Sequence, residues 1–299
     1  MNIVVFGAGS LGSFVGGALA REHAVTLVGR REHVDAIRSN GLSVEGELEA
    51  EVESRATTDG EGLVADLAVV TVKSFDTAAA AETLATGSFD AVLSLQNGMG
   101  NEETLASGLE ATVLAGTASY GAILRKPGVV ECPGLGDIAI GDWRGGRSRA
   151  AERVGDAFAS SGLETTVSDE MPRRLWEKLA VNAGINAVTA LTATQNGAVL
   201  ETPANDLARA ATRETARVAR ADGVGLSNRE ALAAMERIAG ETAANTSSMS
   251  QDVLADRRTE IDAINGYVVD RAAEWGLEVP TNRTLTTLVR AWERGRGCR

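Results

Sequence analysis

The stretch NIVVFGAGSLG, residues 2–12, predicts how the N-terminal part of this 299-residue chain folds. NIVVF is typical of a buried parallel strand, and a glycine-rich turn and a helical stretch follow it at once. In this arrangement the first glycine permits the turn, the second lets a phosphate approach, and the third lets the helix pack closely. We therefore predict a dinucleotide-binding loop rather than a purely structural turn. Its predicted cofactor-binding residues are Gly7, Ala8, Gly9, Ser10, Leu11 and Gly12.

The end of the second predicted strand, residues 24–28, indicates which dinucleotide is bound. NAD-binding units usually place an acid there for the ribose 2′-hydroxyl, whereas this chain has Gly29-Arg30-Arg31. A guanidinium suits a 2′-phosphate by charge and by bidentate geometry, so we predict NADPH (NADP) as the cofactor, with Arg30 as the contact. The alternative is that both arginines are solvated at a helix start and that Glu32 serves an NAD enzyme.

Two further predicted strands end in polar residues. LAVVTV at 67–72 is followed by Lys73, and AVLSL at 91–95 is followed shortly by Asn97. The carboxyl ends of such strands face the ligand crevice, so Lys73 is predicted to reach cofactor phosphate or ribose, and Asn97 to bind the ribose or the substrate. The alternatives are an exposed lysine at a helix start and an asparagine that only shapes a turn.

The remaining pattern predicts the domain organisation. Residues 41–54 read as a short β excursion, and 112–142 as consecutive strands that extend the sheet, partly antiparallel. We predict an α/β fold, with an N-terminal Rossmann-type NADP(H)-binding domain over 1–169 and an all-helical substrate and dimerisation domain over 170–299. The helices are predicted at about 173–191, 205–223, 228–242, 252–275 and 282–294.

The first helix of that second domain carries the sequence WEKLAVNAGINAVTALTATQ at 176–195. Lys178, Asn182 and Asn186 recur every four residues, which places them on one side of the helix about 6 Å apart along the axis. The other faces are apolar, so the helix is expected to be buried, and buried polar groups need partners. Either the lysine snorkels and the asparagines bond to nearby backbone, or the row binds a ligand.

Composition narrows the functional class. The net charge of −12 argues against a general nucleic-acid binder. Two cysteines suggest no disulfide framework or metal site, and neither a membrane span nor a signal peptide is expected, which favours a cytoplasmic protein. The 29 basic residues include only three lysines: Lys73, Lys126 and Lys178. This acidic, lysine-poor composition fits a high-salt cytoplasm, and it also fits a GC-rich genome without salt adaptation.

Over nearly its whole length the chain resembles the ketopantoate reductase (2-dehydropantoate 2-reductase) family. The resemblance rests on GAGSLG at 7–12, Lys73, QNG at 96–98, WEKLAVNAGINAVTAL at 176–191, Asn196-Gly197, SSMSQD at 247–252 and RRTEIDAINGY at 257–267. It implies a two-domain reductase with its site in a cleft, which uses NADPH to reduce ketopantoate to pantoate for coenzyme A synthesis. One departure is that Ala187 stands where the family often has proline, which should leave the helix straighter.

The resemblance also implies roles for individual residues. Lys178 matches the general acid, and the lysine suits this because arginine does not deprotonate in proteins. The positions that match substrate contacts are Asn182, Asn186, Ser248 and Glu260, with Asn196 as a further polar position. Glu260 is expected to accept the substrate hydroxyl and to pair with Lys178; the alternative is an exposed acid paired with Arg257. The alternative for Ser248 is a helix cap.

Other functions remain open at this point. A paralogous NAD(P)H-dependent reductase of another 2-keto acid or an imine would share the fold and differ in its pocket. A non-catalytic NADP(H)-binding sensor would need the glycine loop but not Lys178, Asn182, Asn186 and Glu260 together. The partner expected is a small molecule, without nucleic acid, membrane or metal. A homodimer through the helical domain is a further expectation, with Trp275 and Trp292 on its surface.

Overall fold

The computed structural model of the protein describes residues 1–134 and 136–299. Over these ranges the chain forms two compact units. One comprises Met1–Gln96 and Asn101–Met171, and the other comprises Asn97–Gly100 and Pro172–Arg299. Among the described residues, no helix combines the length and apolarity that crossing a bilayer requires.

The described part of the first unit is a mixed α/β structure built on parallel strands. Its strands are β1 (Asn2–Phe6), β2 (Ala24–Val28), β3 (Leu42–Gly46), β4 (Ala50–Val52), β5 (Arg55–Thr57), β6 (Val64–Val70), β7 (Ser88–Ser94), β8 (Thr112–Ala118), β9 (Gly121–Lys126), β10 (Val129–Gly134), β11 (Ile138–Asp142) and β12 (Thr165–Val167). Its helices are α1 (Ser10–Leu19), α2 (Arg31–Asn40), α3 (Thr77–Leu84), α4 (Asn101–Gly108) and α5 (Arg149–Ser160), with a 3₁₀ turn at Ser74–Asp76.

The main sheet has the order β12-β11-β8-β7-β6-β1-β2-β5 among the described residues. Parallel pairing sets Ile3 of β1 opposite both Val25 of β2 and Leu67 of β6. These residues are 5% exposed or less, because the central strands are covered on both faces and therefore read as continuous apolar runs. The predicted Rossmann-type α/β fold is confirmed, and β1, β2 and α1 form close to where the sequence places them.

The prediction that 112–142 only extends this sheet is wrong for β9 and β10. Within the described residues, β8 and β11 join the main sheet, while β9 and β10 pair with β3 and β4 in a second sheet of order β4-β3-β10-β9. This sheet buries one face only, on which Val44 and Val130 are 2% and 0% exposed. Val44 packs closely on Gly17 of α1, since a Cβ added to Gly17 would lie 2.5 Å from Val44 Cγ2. Leu135, within the predicted stretch, lies outside the described residues.

The second unit is helical throughout its described elements, as predicted. They are α6 (Met171–Thr192), a 3₁₀ turn (Asn196–Leu200), α7 (Ala204–Ala221), α8 (Asn228–Glu241), α9 (Ser248–Leu254), a π-helical turn (Asp262–Gly266), α10 (Tyr267–Glu274) and α11 (Pro280–Arg296). α6 is continuous and largely buried. A Cβ on Gly184 would lie 2.4 Å from Thr212 Oγ1, so a side chain there would block the close packing of α6 on α7.

The prediction of one helix over 252–275 is wrong. The chain instead leaves α9 after Leu254, runs irregularly to Ile261, and passes through the π-helical turn into α10. Buried Asn265 holds this turn against α6, because its Nδ2 donates to Ala183 O and to Asn282 Oδ1, both at 3.0 Å. These are tertiary contacts, and the apolar periodicity of the sequence does not report them.

Candidate active site

The glycine loop leaves space where a phosphate would approach. Gly7 has φ +110°, and a Cβ there would lie 2.6 Å from Val72 N, so only glycine fits. A Cβ on Gly12 would lie 2.3 Å from Gly7 O, which explains the close packing of α1 on the loop. Within the described part of the chain, a Cβ on Gly9 would meet a single neighbour, Gly7 O at 3.9 Å, so open space lies beside this residue.

The available hydrogen-bond donors of the loop lie in the first turn of α1. The amides of Gly7 and Ala8 both donate to Val28 O, and that of Gly9 donates to Gly7 O. The first helical bond runs from Ser13 N to Gly9 O at 2.9 Å, so the amides of Ser10, Leu11 and Gly12 precede the helical ladder. No acid stands in this first turn and no side chain caps it. The arrangement therefore fits the pyrophosphate of a dinucleotide.

Arg30 occupies the N-cap position of α2, directly after β2, and its side chain is exposed. Glu32 lies in the first turn of the same helix and is also exposed. His33 is buried beside them: its pKa lies below the ordinary value because of burial and, second, the positive charge of Arg30. Both the arginine and the acid therefore stand where the sequence places them, and the choice between NADP(H) and NAD(H) stays a prediction.

Lys73 is half-buried and follows β6 by three residues. It caps the 3₁₀ turn Ser74–Asp76 with its backbone, since Lys73 O accepts the amide of Asp76 at 2.8 Å. Lys73 thus lies beyond the carboxyl end of β6. Arg30 has the same place relative to β2. Its predicted contact with cofactor phosphate or ribose stays a prediction.

The polar row of α6 follows the helix from its half-buried end into the core. Lys178 and Asn182 are half-buried, and Asn186 is 5% exposed. Trp176, two residues before Lys178, is fully buried with its ring 5.9 Å from that of Tyr267. This contact packs the N-terminal half of α6, which carries Lys178, against Tyr267 at the start of α10. With Ala187 in place of proline, the helix runs unbroken past Asn186.

A cluster of buried hydroxyls that the sequence reasoning missed places Ser248 beside α6. Thr189, three residues after Asn186, lies 2.8 Å from Ser247 through their hydroxyl oxygens, and Ser250 donates to Thr189 at 3.3 Å. Ser247 rather than Ser248 caps α9, because its hydroxyl accepts the amide of Ser250. Ser248 is exposed at the start of α9, so the helix-cap alternative for Ser248 is wrong. The signal for Thr189 is its continuation of the α6 row by one turn.

Glu260 is 5% exposed and lies in the irregular segment between α9 and the π-helical turn. The alternative reading as an exposed acid paired with Arg257 is wrong, since Arg257 instead binds Asp252, with Nη2 and Oδ1 3.0 Å apart. A buried carboxylate is costly unless it is paired and hydrogen-bonded, so the burial of Glu260 favours a functional or structural role.

The Asn97–Gly100 segment packs on the same π-helical turn. Met99 N donates to Ala263 O at 3.0 Å, and a Cβ on Gly98 would lie 2.5 Å from Ala263 Cβ. Gly98 has φ +82°, which glycine adopts readily. Asn97 and Glu260 therefore stand on two segments that touch each other through Ala263.

Asn196 lies at the start of the 3₁₀ turn after α6 and is 8% exposed. Its Nδ2 donates to Thr242 Oγ1 at 3.0 Å, and its amide donates to Asn245 O. Its Oδ1 is buried without a hydrogen-bond partner among the described residues. The side chain thus ties this turn to the end of α8, and substrate contact stays a prediction. No group of metal-ligating side chains occurs in the described part of the chain.

Comparison with known proteins decides the family. Residues 3–145 match the family model described as ketopantoate reductase PanE/ApbA, and residues 170–293 match that of its C-terminal part. The chain belongs to the ketopantoate reductase family. It is therefore related to oxidoreductases, and its resemblance to this family is confirmed.

Individual members of the ketopantoate reductase family match over the full length. The 2-dehydropantoate 2-reductase of Halobacterium salinarum is 45% identical over 98% of this chain and 99% of its own. Among solved structures, a PanE/ApbA family ketopantoate reductase from Ralstonia eutropha is 35% identical, with a TM-score of 0.91 over 99% of this chain and all of its own. D-mandelate dehydrogenase, solved with NADH and anilino(oxo)acetate, is 26% identical, with a TM-score of 0.92 over both whole chains.

Proposed function

We propose that this protein is a 2-dehydropantoate 2-reductase that uses NADPH to reduce ketopantoate to (R)-pantoate. The observation that carries the proposal is the 45% identity, over 98% of the chain, to an enzyme of that name. The site supports it, because a polar row with a lysine lies on a buried helix and a glycine loop with open space at Gly9 precedes α1. Pantoate is a precursor of coenzyme A, so the enzyme would serve pantothenate synthesis.

The bound nicotinamide supplies the hydride, and the residues of this chain supply the remaining requirements of the reaction. Hydride addition turns the 2-keto group into an alkoxide, which needs a proton and stabilisation of its charge. Lys178 supplies both through its ammonium group. Asn182 and Asn186, one and two turns along α6, orient the substrate by hydrogen bonds without adding charge. Ser248 binds the carboxylate, and Glu260 accepts the hydroxyl of the substrate.

The cofactor side of the proposal rests on the first unit. The amides of Ser10, Leu11 and Gly12 bind the pyrophosphate, and Arg30 pairs with the 2′-phosphate that distinguishes NADPH from NADH. Lys73 contacts phosphate or ribose, and Asn97 the ribose. The D-mandelate dehydrogenase structure contains NADH, so an NADH preference in this protein would move Arg30 out of this role and favour Glu32.

A second candidate is a reductase of another 2-keto acid. It is favoured by the TM-score of 0.92 to D-mandelate dehydrogenase, whose substrate class is a 2-hydroxy acid with an aromatic side chain. Both activities need a general acid and an oriented carboxylate, so the polar row of α6 does not distinguish a ketopantoate reductase from a reductase of another 2-keto acid. The side chains around the variable end of the substrate would distinguish them.

The deciding experiment measures NADPH oxidation with ketopantoate against a panel of 2-keto acids that includes benzoylformate, the keto acid of mandelate. We expect kcat/KM for ketopantoate to exceed that for each other member by at least about tenfold, since a methylene or hydroxyl mismatch in a built site changes discrimination by that order. A higher value for benzoylformate would replace the proposal by the second candidate. Cofactor binding without turnover of any member would indicate a sensor.

A further inference from the structure

A fully buried carboxylate holds the chain on both sides of Glu260. Glu293 of α11 is 0% exposed, and its Oε1 accepts both the amide of Thr259 at 2.8 Å and the hydroxyl of Thr259 at 2.7 Å. Thr259 Oγ1 in turn accepts the amide of Ile261 at 3.3 Å. The residues before and after Glu260 thus depend on one carboxylate that lies 34 positions from Thr259 in the sequence.

This anchorage compensates for the missing helical ladder. Thr259 and Ile261 lie outside regular helix and strand, and their amides donate to side-chain oxygens, those of Glu293 and Thr259, instead of to backbone carbonyls. A buried carboxylate is a strong acceptor, and a hydrogen bond to a charged group is about twice as strong as a neutral one. The second carboxylate oxygen of Glu293 forms an ion pair, because Arg299 Nη1 donates to its Oε2 at 2.7 Å.

A second set of ion pairs fixes the start of the π-helical turn, two residues after Glu260. Asp262 accepts from Arg290 Nε at 2.8 Å and from Arg299 Nη2 at 2.7 Å. Burial alone would raise the pKa of Asp262, but the hydrogen bonds and charges of the two arginines outweigh it and leave the pKa below its ordinary value. Asp262 is therefore an ionised anchor near neutral pH. Glu260 therefore lies between Thr259, which is bonded to Glu293 of α11, and Asp262, which is bonded to Arg290 of α11 and to Arg299.

We propose that Thr259 and Glu293 are positioning residues, which hold the Glu260 carboxylate in the orientation that receives the hydroxyl group of the substrate. The proposal rests on the function proposed above, in which Glu260 contacts ketopantoate. Without the Thr259 hydroxyl, one acceptor site of Glu293 and the amide of Ile261 lose their partner, and the segment that carries Glu260 is free to shift. A displacement of about 1 Å at such a residue is enough to lower activity by about 10²-fold.

The test compares three single variants by steady-state kinetics. Thr259→Val removes the hydroxyl but keeps the size and the amide, and it is expected to raise KM for ketopantoate at least about tenfold. kcat and the NADPH dissociation constant, the latter from fluorescence titration, should change less than about threefold. Thr259→Ser restores the hydroxyl and should return KM to within about threefold of wild type. Thr215→Val is the control, since Thr215 is equally buried but, among the described residues, its hydroxyl bonds only to Ala211 O within α7; its KM should stay at the wild-type value.

Combination with Glu260→Ala separates the positioning role from the role of Glu260 itself. If Thr259 acts through Glu260, the Thr259→Val/Glu260→Ala pair has the KM of Glu260→Ala alone, whereas independent effects multiply. A raised KM in Glu260→Ala with an unchanged KM in Thr259→Val overturns the positioning inference and leaves the proposed function standing. An unchanged KM for ketopantoate in Glu260→Ala would show that Glu260 does not contact the substrate, which overturns the positioning inference as well. Calorimetric binding of pantoate to the NADP⁺ complex should rank the variants in the same order.

Discussion

At the scale of single residues, Lys178 differs from the arginines of this chain in what its charge can do. A guanidinium stays protonated in proteins, whereas an ammonium transfers its proton. Lys178→Ala is expected to lower kcat by roughly 10²–10⁴-fold, the usual contribution of a general acid, while NADPH still binds. Lys178→Arg should lose a comparable factor because it keeps the charge without a transferable proton. NADPH absorbance in single turnovers measures the rate of reduction, and fluorescence titration measures NADPH binding.

Lys126 provides the matched control, since it is an exposed lysine on β9 in a chain with only three. Lys126→Ala should keep wild-type kcat. Wild-type turnover in Lys178→Ala would contradict the general-acid role, and substantial turnover in Lys178→Arg would reassign Lys178 to charge stabilisation alone.

Arg30 carries the cofactor preference at the same scale. Arg30→Ala is expected to raise KM for NADPH roughly 10–100-fold, the value of one or two hydrogen bonds to a charged group, and to leave KM for NADH unchanged. Arg31→Ala, one residue further into α2 and also exposed, is the control and should affect both cofactors weakly. Equal losses for NADPH and NADH in Arg30→Ala would show that the 2′-phosphate is not its partner.

At the scale of elements, the success of sequence reasoning follows the range of the interactions. The β1–loop–α1 unit and the polar row of α6 are local patterns: the loop glycines are two and three residues apart, and the polar residues of α6 are four apart. The sequence therefore predicts both closely. The irregular segment before the π-helical turn depends on Glu293, and the second sheet depends on β3 meeting β10. Both are contacts between distant positions, and neither leaves a periodic signal. Thr259 and Ser247 were missed for the same reason, although each adjoins a residue that was predicted.

His33 joins three elements of the first unit through a neutral imidazole. Its Nδ1 accepts the amide of Gly128 at 3.0 Å, and because that nitrogen is an acceptor, Nε2 carries the proton and donates to Ser13 Oγ at 2.8 Å. α1, α2 and the turn between β9 and β10 therefore share this side chain. Protonation of Nδ1 would place its N–H against the amide N–H of Gly128. This agrees with a pKa of His33 that is lowered by burial and by Arg30.

Acidification should therefore weaken this junction. The folded-state pKa of His33 lies below the ordinary value of 6.5, so the unfolded chain binds the proton first as pH falls. The stabilising contribution is complete above about pH 6.5 and is lost towards the folded-state pKa, with a slope of at most about 1.4 kcal/mol per pH unit. Urea unfolding at pH 7.5 and 5.5 should show a smaller pH effect in His33→Gln than in wild type.

At the scale of the whole molecule, the charge balance predicts a response to salt. A net charge of −12 destabilises the compact state by self-repulsion, and salt shortens the screening length from about 10 Å at 0.1 M to about 3 Å at 1 M. Exposed ion pairs such as Arg237–Glu241 weaken at the same time, but each is worth only about 0–1 kcal/mol. The repulsion is shared by the whole surface, so its relief is expected to outweigh those losses.

Raising KCl from about 0.1 to 1 M should therefore raise the midpoint of thermal unfolding, with most of the gain complete once the screening length falls below the spacing of neighbouring charges. Potassium sulfate at matched ionic strength separates the causes: screening alone predicts the same gain, whereas exclusion of salt from the protein surface predicts a larger gain in sulfate and a continuing rise beyond 1 M. Equal midpoints in dilute buffer and in molar KCl would mean that the acidic surface is not an adaptation to salt, and the scarcity of lysine would then need another cause.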